Sequence, residues 1–135
     1  MTSNQGTLFT SYDGAGRVIS SGRVSNPEEQ TSETGGVFLG AIFDGALFWF
    51  DGGVPKLRPD APDVSMSAAA VLADGKTSIE LWGVPIGAKV ANGQEIGVAD
   101  GGVVFVSTNY VGWNRITIDA FPAKLWSGGF YGLAS

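Results

Sequence analysis

Six dipeptides, Asp13-Gly14, Asp44-Gly45, Asp51-Gly52, Asp74-Gly75, Asn92-Gly93 and Asp100-Gly101, divide this chain into short runs. A type I′ hairpin turn needs positive φ at both central residues, which Gly accepts freely and Asp or Asn tolerates better than most side chains. The runs between the dipeptides are rich in Val, Ile, Phe and Thr. A chain patterned in this way folds strands back on themselves, so the expected class is all-β, with type I′ turns at the hairpin tips.

The N-terminal part reads as a hairpin, Thr7 to Tyr12 and Arg17 to Ser21, joined through Asp13-Gly14-Ala15-Gly16. Ser25 to Thr34 is polar, contains Pro27 and has no apolar period, which predicts a loop. Apolar character returns at Val37 to Phe43, and Ala46 to Phe50 is an aromatic strand ended by Asp51-Gly52-Gly53. Neighbours on a strand alternate sides, so Phe48, Trp49 and Phe50 place large rings on both faces, and both faces need cover. Pro59 and Pro62 then interrupt any ladder and stiffen the chain. The expected organisation is an N-terminal β-hairpin subdomain over 1–57, a Pro-rich boundary at 58–63 and an antiparallel β-sandwich over 64–135.

Within the second part, strands are expected at Val64 to Leu72, Thr77 to Trp82, Ala88 to Ala91, Glu95 to Val98, Val103 to Thr108, Trp113 to Phe121 and Phe130 to Leu133. Ala68-Ala69-Ala70 has helix propensity, but the run is too short between its breakers to nucleate a helix. Ile79 with Leu81, Ile96 with Val98, and Ile116 with Ile118 stand at period two and are expected to point inward.

At 135 residues and 44% hydrophobic content, the chain can bury a core. Eight Lys and Arg stand against 13 Asp and Glu, a formal charge of −5, and no basic run offers phosphates a footprint, so nucleic acid is not an expected partner. There is no cysteine and no histidine. Disulfides, thiolate nucleophiles and thiolate metal sites are thereby excluded, together with the commonest general base. The polar start Met1-Thr2-Ser3-Asn4-Gln5 carries neither a charged nor an apolar signal region, and no apolar stretch approaches the roughly 20 residues of a spanning helix, so neither export signal nor membrane insertion is expected.

Aspartate dominates the polar inventory, which raises the question of a carboxylate pair acting as acid and base. Asp44 and Asp51 bracket one strand at roughly 20 Å, taking about 3.3 Å per residue, too far apart to share a bond, and the others precede glycine as turn formers. No segment has the alternating acidic pattern of a calcium loop, and no GxxxxGK[ST] or GxGxxG occurs. Ser20-Ser21-Gly22 and Ser127-Gly128-Gly129 lack the flanks of a nucleophile elbow. The expectation is a non-enzyme with no catalytic, metal or cofactor site. Trp82, Trp113, Trp126, Tyr110 and Tyr131 are candidates for a sugar-stacking platform, with core filling as the alternative. Leu125 to Leu133 is apolar almost to its end and either closes the sheet as an edge strand or pairs with another subunit.

The arrangement resembles small accessory proteins of tailed bacteriophages. The N-terminal half is similar to their "Y-D-x-x-G-x-I-x-x-G" hairpin at Tyr12-Asp13, Gly16, Val18-Ile19 and Gly22, and to their "DGG-V-x-x-R-P-x-x-P" strand ending at Asp51-Gly52-Gly53-Val54, Arg58-Pro59 and Pro62. The C-terminal half resembles the Ig-like module that often follows, through Asp74-Gly75, Ile79, Leu81, Gly83-Val84-Pro85, Asp100-Gly101, Gly112-Trp113, Arg115 to Ile118 and Phe121-Pro122, with Val111 where such modules often carry Pro. The resemblance implies a virion component without a catalytic site, located in the tail, fibre or baseplate, whose partners are other virion proteins and further copies of itself. Its candidate partner interface is Phe48, Trp49, Phe50, Trp126, Phe130 and Tyr131, used for β-addition to a neighbouring subunit. Two alternatives are a capsid decoration protein and a receptor- or glycan-binding module of a tail fibre.

Overall fold

The computed structural model describes residues 6–25, 35–93 and 95–134. Met1–Gln5 and all of the expected loop Ser25–Thr34 except Ser25 lie outside the described residues. Among those described there are thirteen strands and no helix, so the fold is all-β.

Four of the five aspartates of the turn dipeptides shape their turns through side chains rather than through positive φ, while Asp51 pairs with Lys56. Asp13 Oδ1 accepts hydrogen bonds from the amides of Ala15 and Arg17, each at 3.0 Å. Asp44 Oδ1 accepts from Ala46, Asp74 Oδ1 from Lys76 and Thr77, and Asp100 Oδ1 from Gly102. Every positive φ among the described residues belongs to glycine, which corrects the expected type I′ geometry with Asp in the left-handed region. A carboxylate that mimics a backbone acceptor leaves Asp at negative φ and avoids the strain a Cβ meets in the left-handed region.

The chain divides into two compact units, Met1–Pro59 and Asp60–Ser135. In the first, β1 (Thr7–Tyr12) lies between β2 (Val18–Val24) and β3 (Gly36–Leu39), antiparallel to both. A second hairpin joins β4 (Phe48–Asp51) to β5 (Val54–Leu57). The strand β5 is absent from the sequence reading because it contains Pro55. Proline is tolerated there since β5 is an edge strand, with β4 as its only ladder neighbour among the described residues.

This unit is held by rings. Phe50 is buried and stacks on Tyr12 with centroids 4.3 Å apart and planes 12° apart, while Phe38 and Phe43 pack on it at 5.8 and 5.5 Å. Fully buried Thr10 ties β1 to the segment that follows β3, its Oγ1 donating to the Ala41 carbonyl at 3.0 Å and accepting from the Phe43 amide at 2.9 Å. The Phe50 amide donates to the Gly16 carbonyl at 2.8 Å. Gly16 has φ of 92°, and a Cβ there would collide with the Phe50 carbonyl oxygen, so both space and conformation demand glycine.

The second unit is sandwich-like. One sheet has the order β10 (Glu95–Val98), β9 (Lys89–Asn92), β12 (Gly112–Asp119), β13 (Trp126–Leu133), β7 (Ala70–Leu72). The other has the order β11 (Val104–Ser107), β8 (Ser78–Trp82), β6 (Ser65–Met66). Ile79, Leu81, Val106, Ile116, Ile118 and Phe130 form the middle of one buried cluster. The expected single strand Val64 to Leu72 is instead two short strands in different sheets: β6 pairs with β8, and β7 runs parallel to β13.

Period two placed Ile79, Leu81, Ile116 and Ile118 correctly, but Ile96 and Val98 are 71% and 70% exposed. They pair with Ala91 and Lys89, which flank buried Val90, and so lie on the outer face of the sheet. Alternation identifies which residues share a face; on an edge strand it does not say which face is covered.

Candidate binding surface

The outer face of the five-stranded sheet follows from register. Trp113 stands opposite Tyr131, Tyr131 opposite Ala70, and Leu133 opposite Leu72. Their inward alternates, Asn114, Phe130, Gly132 and Val71, are buried, so Trp113, Tyr131, Leu133 and Leu72 project outward and all are exposed. Below them Arg115 faces Gly129, its Nε donating to Ser127 Oγ at 3.2 Å.

At one end of the sheet, β9 stops at Asn92, opposite Ile116, while β12 extends four residues further, from Arg115 back to Gly112. The mismatch leaves a hollow of about 420 Å³ above the hairpin tip, lined by Asn92, Glu95, Asn109, Tyr110, Trp113 and Arg115 among others. That volume falls in the range of about 300–1,000 Å³ typical of small-ligand sites.

The wall of the hollow is fixed by a buried polar network. Thr108 Oγ1 donates to Asn114 Oδ1 at 2.7 Å and accepts from the Tyr110 amide at 3.0 Å. Asn114 Nδ2 donates to the carbonyls of Tyr110 (3.3 Å) and Gly112 (3.1 Å). Among the described residues no buried side-chain polar atom lacks a partner. The loop that presents Tyr110 and leads into Trp113 is therefore anchored from beneath, with Gly112 at φ of 128° turning the chain into β12.

Asp74, on the turn beside Gly75, has its carboxyl lowered from 3.8 to about 2, first by the Thr77 amide, then by the Thr77 hydroxyl and the Lys76 amide. Such a carboxylate is a turn clamp held in its charged form. Among the described residues no group of three or more acidic side chains converges as a metal site, and no helix is long and apolar enough to cross a membrane.

The six residues singled out from sequence separate by environment. Phe50 and Phe130 are core residues, buried because each lies on the covered face of its strand, and neither is available to a partner in this conformation. Phe48 and Trp49 are half-buried, and Trp126 packs on the core of the second unit. Tyr131 alone of the six is exposed on a sheet face, at 46%. The strands that carry them are not simple free edges either. β13 is interior, paired along its length with β12 and at its last three residues with β7, while the Phe50 amide of β4 is bonded to Gly16.

Of the stacking candidates, Trp113 and Tyr110 come together at the hollow, and Trp82 is exposed on β8, in the other sheet. Glu95, Arg115 and Asn109 were missed by sequence reasoning. Their placement depends on the length difference between β9 and β12, which no local pattern carries. Comparison with known proteins finds no matching family model, no similar curated protein and no similar solved structure.

Proposed function

We propose that this chain is a non-enzymatic structural component of a tailed-bacteriophage particle, in the tail, fibre or baseplate region, working by assembly with other virion proteins and with further copies of itself. The observation that carries the reading is the apolar corner of the outer sheet face, where Trp113, Tyr131, Leu133 and Leu72 are neighbours by register and all exposed. Contiguous exposed apolar surface of this kind marks interaction sites. The phage-like motifs of the sequence support the setting, and repetition around a symmetric particle supplies avidity that one small patch lacks.

Light scattering on the full chain over a range of concentrations, with mass spectrometry of purified particles from a lysate, tests the proposal. Concentration-dependent association that Leu133→Ser and Leu72→Ser weaken, together with the chain's presence in the particles, is the expected result. A monomer at every concentration that is absent from the particles would sink it.

A further inference from the structure

We infer that the hollow above the β9–β10 hairpin is a saccharide-binding site, in which Trp113 and Tyr110 offer aromatic surface to sugar rings and Glu95, Arg115 and Asn109 bond their hydroxyls. The inference stands on the second unit alone and does not rest on the assembly reading.

The first support is unused hydrogen-bonding capacity. Glu95 and Arg115 carry opposite charges and line the same hollow, yet among the described residues neither forms an ion pair, and the only side-chain bond of Arg115 is the one from Nε to Ser127. The Asn109 amide, the Tyr110 hydroxyl and the Trp113 indole N–H also have no hydrogen-bond partner among the described residues. Carboxylate, guanidinium and carboxamide are planar groups with paired donors or acceptors, suited to adjacent hydroxyls of a sugar.

The second support is the placement of the rings. Trp113 and Tyr110 are 64% and 63% exposed beside those groups. An aromatic ring offers an apolar face to the C–H side of a pyranose, while its own polar tip stays free for a hydrogen bond. The Trp113 ring is seated rather than loose: it fills the space above Gly129, where a Cβ would stand 2.5 Å from its Cζ2.

The third is preorganisation. The Thr108–Asn114 network fixes the loop before any ligand arrives, so little ordering cost falls on binding. A purely apolar partner would leave the two charges of the hollow desolvated and unpaired, which disfavours it.

The test uses the full chain on an array of bacterial surface polysaccharides and defined oligosaccharides, including N-acetylglucosamine oligomers and maltoheptaose. Any glycan bound is then titrated into isotope-labelled protein and followed by NMR. Expected are amide shifts concentrated at Gly93, Glu95, Asn109, Tyr110 and Arg115, with affinity lost at least tenfold in Trp113→Ala and several-fold in Glu95→Gln. Trp82→Ala, on the other sheet, leaves binding unchanged, as does Leu133→Ser, at the part of the assembly patch that does not line the hollow. Glu95→Gln changes one exposed carboxylate to its isostere and keeps the test open if Trp113→Ala loosens the fold. Absence of binding across the array at millimolar glycan, binding indifferent to both Trp113→Ala and Glu95→Gln, or shifts centred on Trp82 would overturn the inference.

Discussion

Replacing Asn114 by alanine should unfold the second unit far more easily than a polar residue near the start of a strand suggests. The side chain is only 8% exposed and makes three hydrogen bonds, accepting from Thr108 Oγ1 and donating to the Tyr110 and Gly112 carbonyls. Each such bond contributes about 1 kcal/mol net, and a buried group left unpaired costs about 1–3 kcal/mol. Thr108 keeps its bond from the Tyr110 amide and the loop carbonyls regain some water, so the sum is about 2–4 kcal/mol. For a unit of this size, about 4–8 °C of melting temperature is lost per kcal/mol, which places the drop at about 8 °C or more. Calorimetry and urea unfolding of the full chain, with NMR to assign each transition to its unit, measure it. Thr108→Val removes the other half of the network at nearly constant shape, and the double variant should cost less than the sum of the two single ones by at least about 0.5 kcal/mol. A loss under about 0.5 kcal/mol for Asn114→Ala, or strict additivity with Thr108→Val, would refute the claim that this network holds the loop.

Gly16→Ala should destabilise the first unit by at least about 2 kcal/mol, since the new Cβ meets the Phe50 carbonyl at a φ that L-residues avoid; near-ultraviolet circular dichroism of the Tyr12 and Phe50 stack reads the loss. Ile116→Ala should cost about 2–5 kcal/mol and Ile96→Ala no more than about 0.5 kcal/mol, although both isoleucines sit at equivalent period-two positions; equal costs in denaturant unfolding would contradict the assigned faces. Asp74 should titrate near 2 by carboxyl NMR. Because its folded pKa is depressed below 3.8, its contribution to stability is present above pH 3.8 and is lost as the pH falls through about 2, and Asp74→Asn should remove that dependence.

The class and most strands were legible because the signals are local. Turn residues and period-two runs set out β1, β2 and β8 to β12 to within a few residues. What was not legible depends on partners distant in sequence. The outward face of β10 follows from its position at the sheet edge, and the break between β6 and β7 follows from two sheets each claiming a piece of one run. β13 begins at Trp126 rather than Phe130 because β12 offers it seven consecutive pairs, and cross-strand pairing overrides the weak strand propensity of Ser127-Gly128-Gly129. The hollow at the hairpin tip is of the same kind, a consequence of unequal strand lengths.

The glycines of β13 show how composition misleads when only one role is granted to a residue. Glycine in this chain marks turns wherever φ is positive, as at Gly52, Gly75, Gly93 and Gly101, but Gly128, Gly129 and Gly132 lie in extended backbone with no such need. Their role is to leave room. A Cβ on Gly128 would collide with the Trp126 ring on the inner face, one on Gly129 with the Trp113 ring on the outer face, and one on Gly132 with the Tyr110 carbonyl. Glycine weakens a strand by exposing backbone and adding flexibility, and a ring laid over it restores both cover and rigidity. The run that reads as flexible in sequence is thus the part of the sheet on which the two tryptophans rest, one contributing to the core and the other held exposed at the edge of the hollow. Both the stability of the second unit and the shape of its proposed sugar site draw on the same small residues.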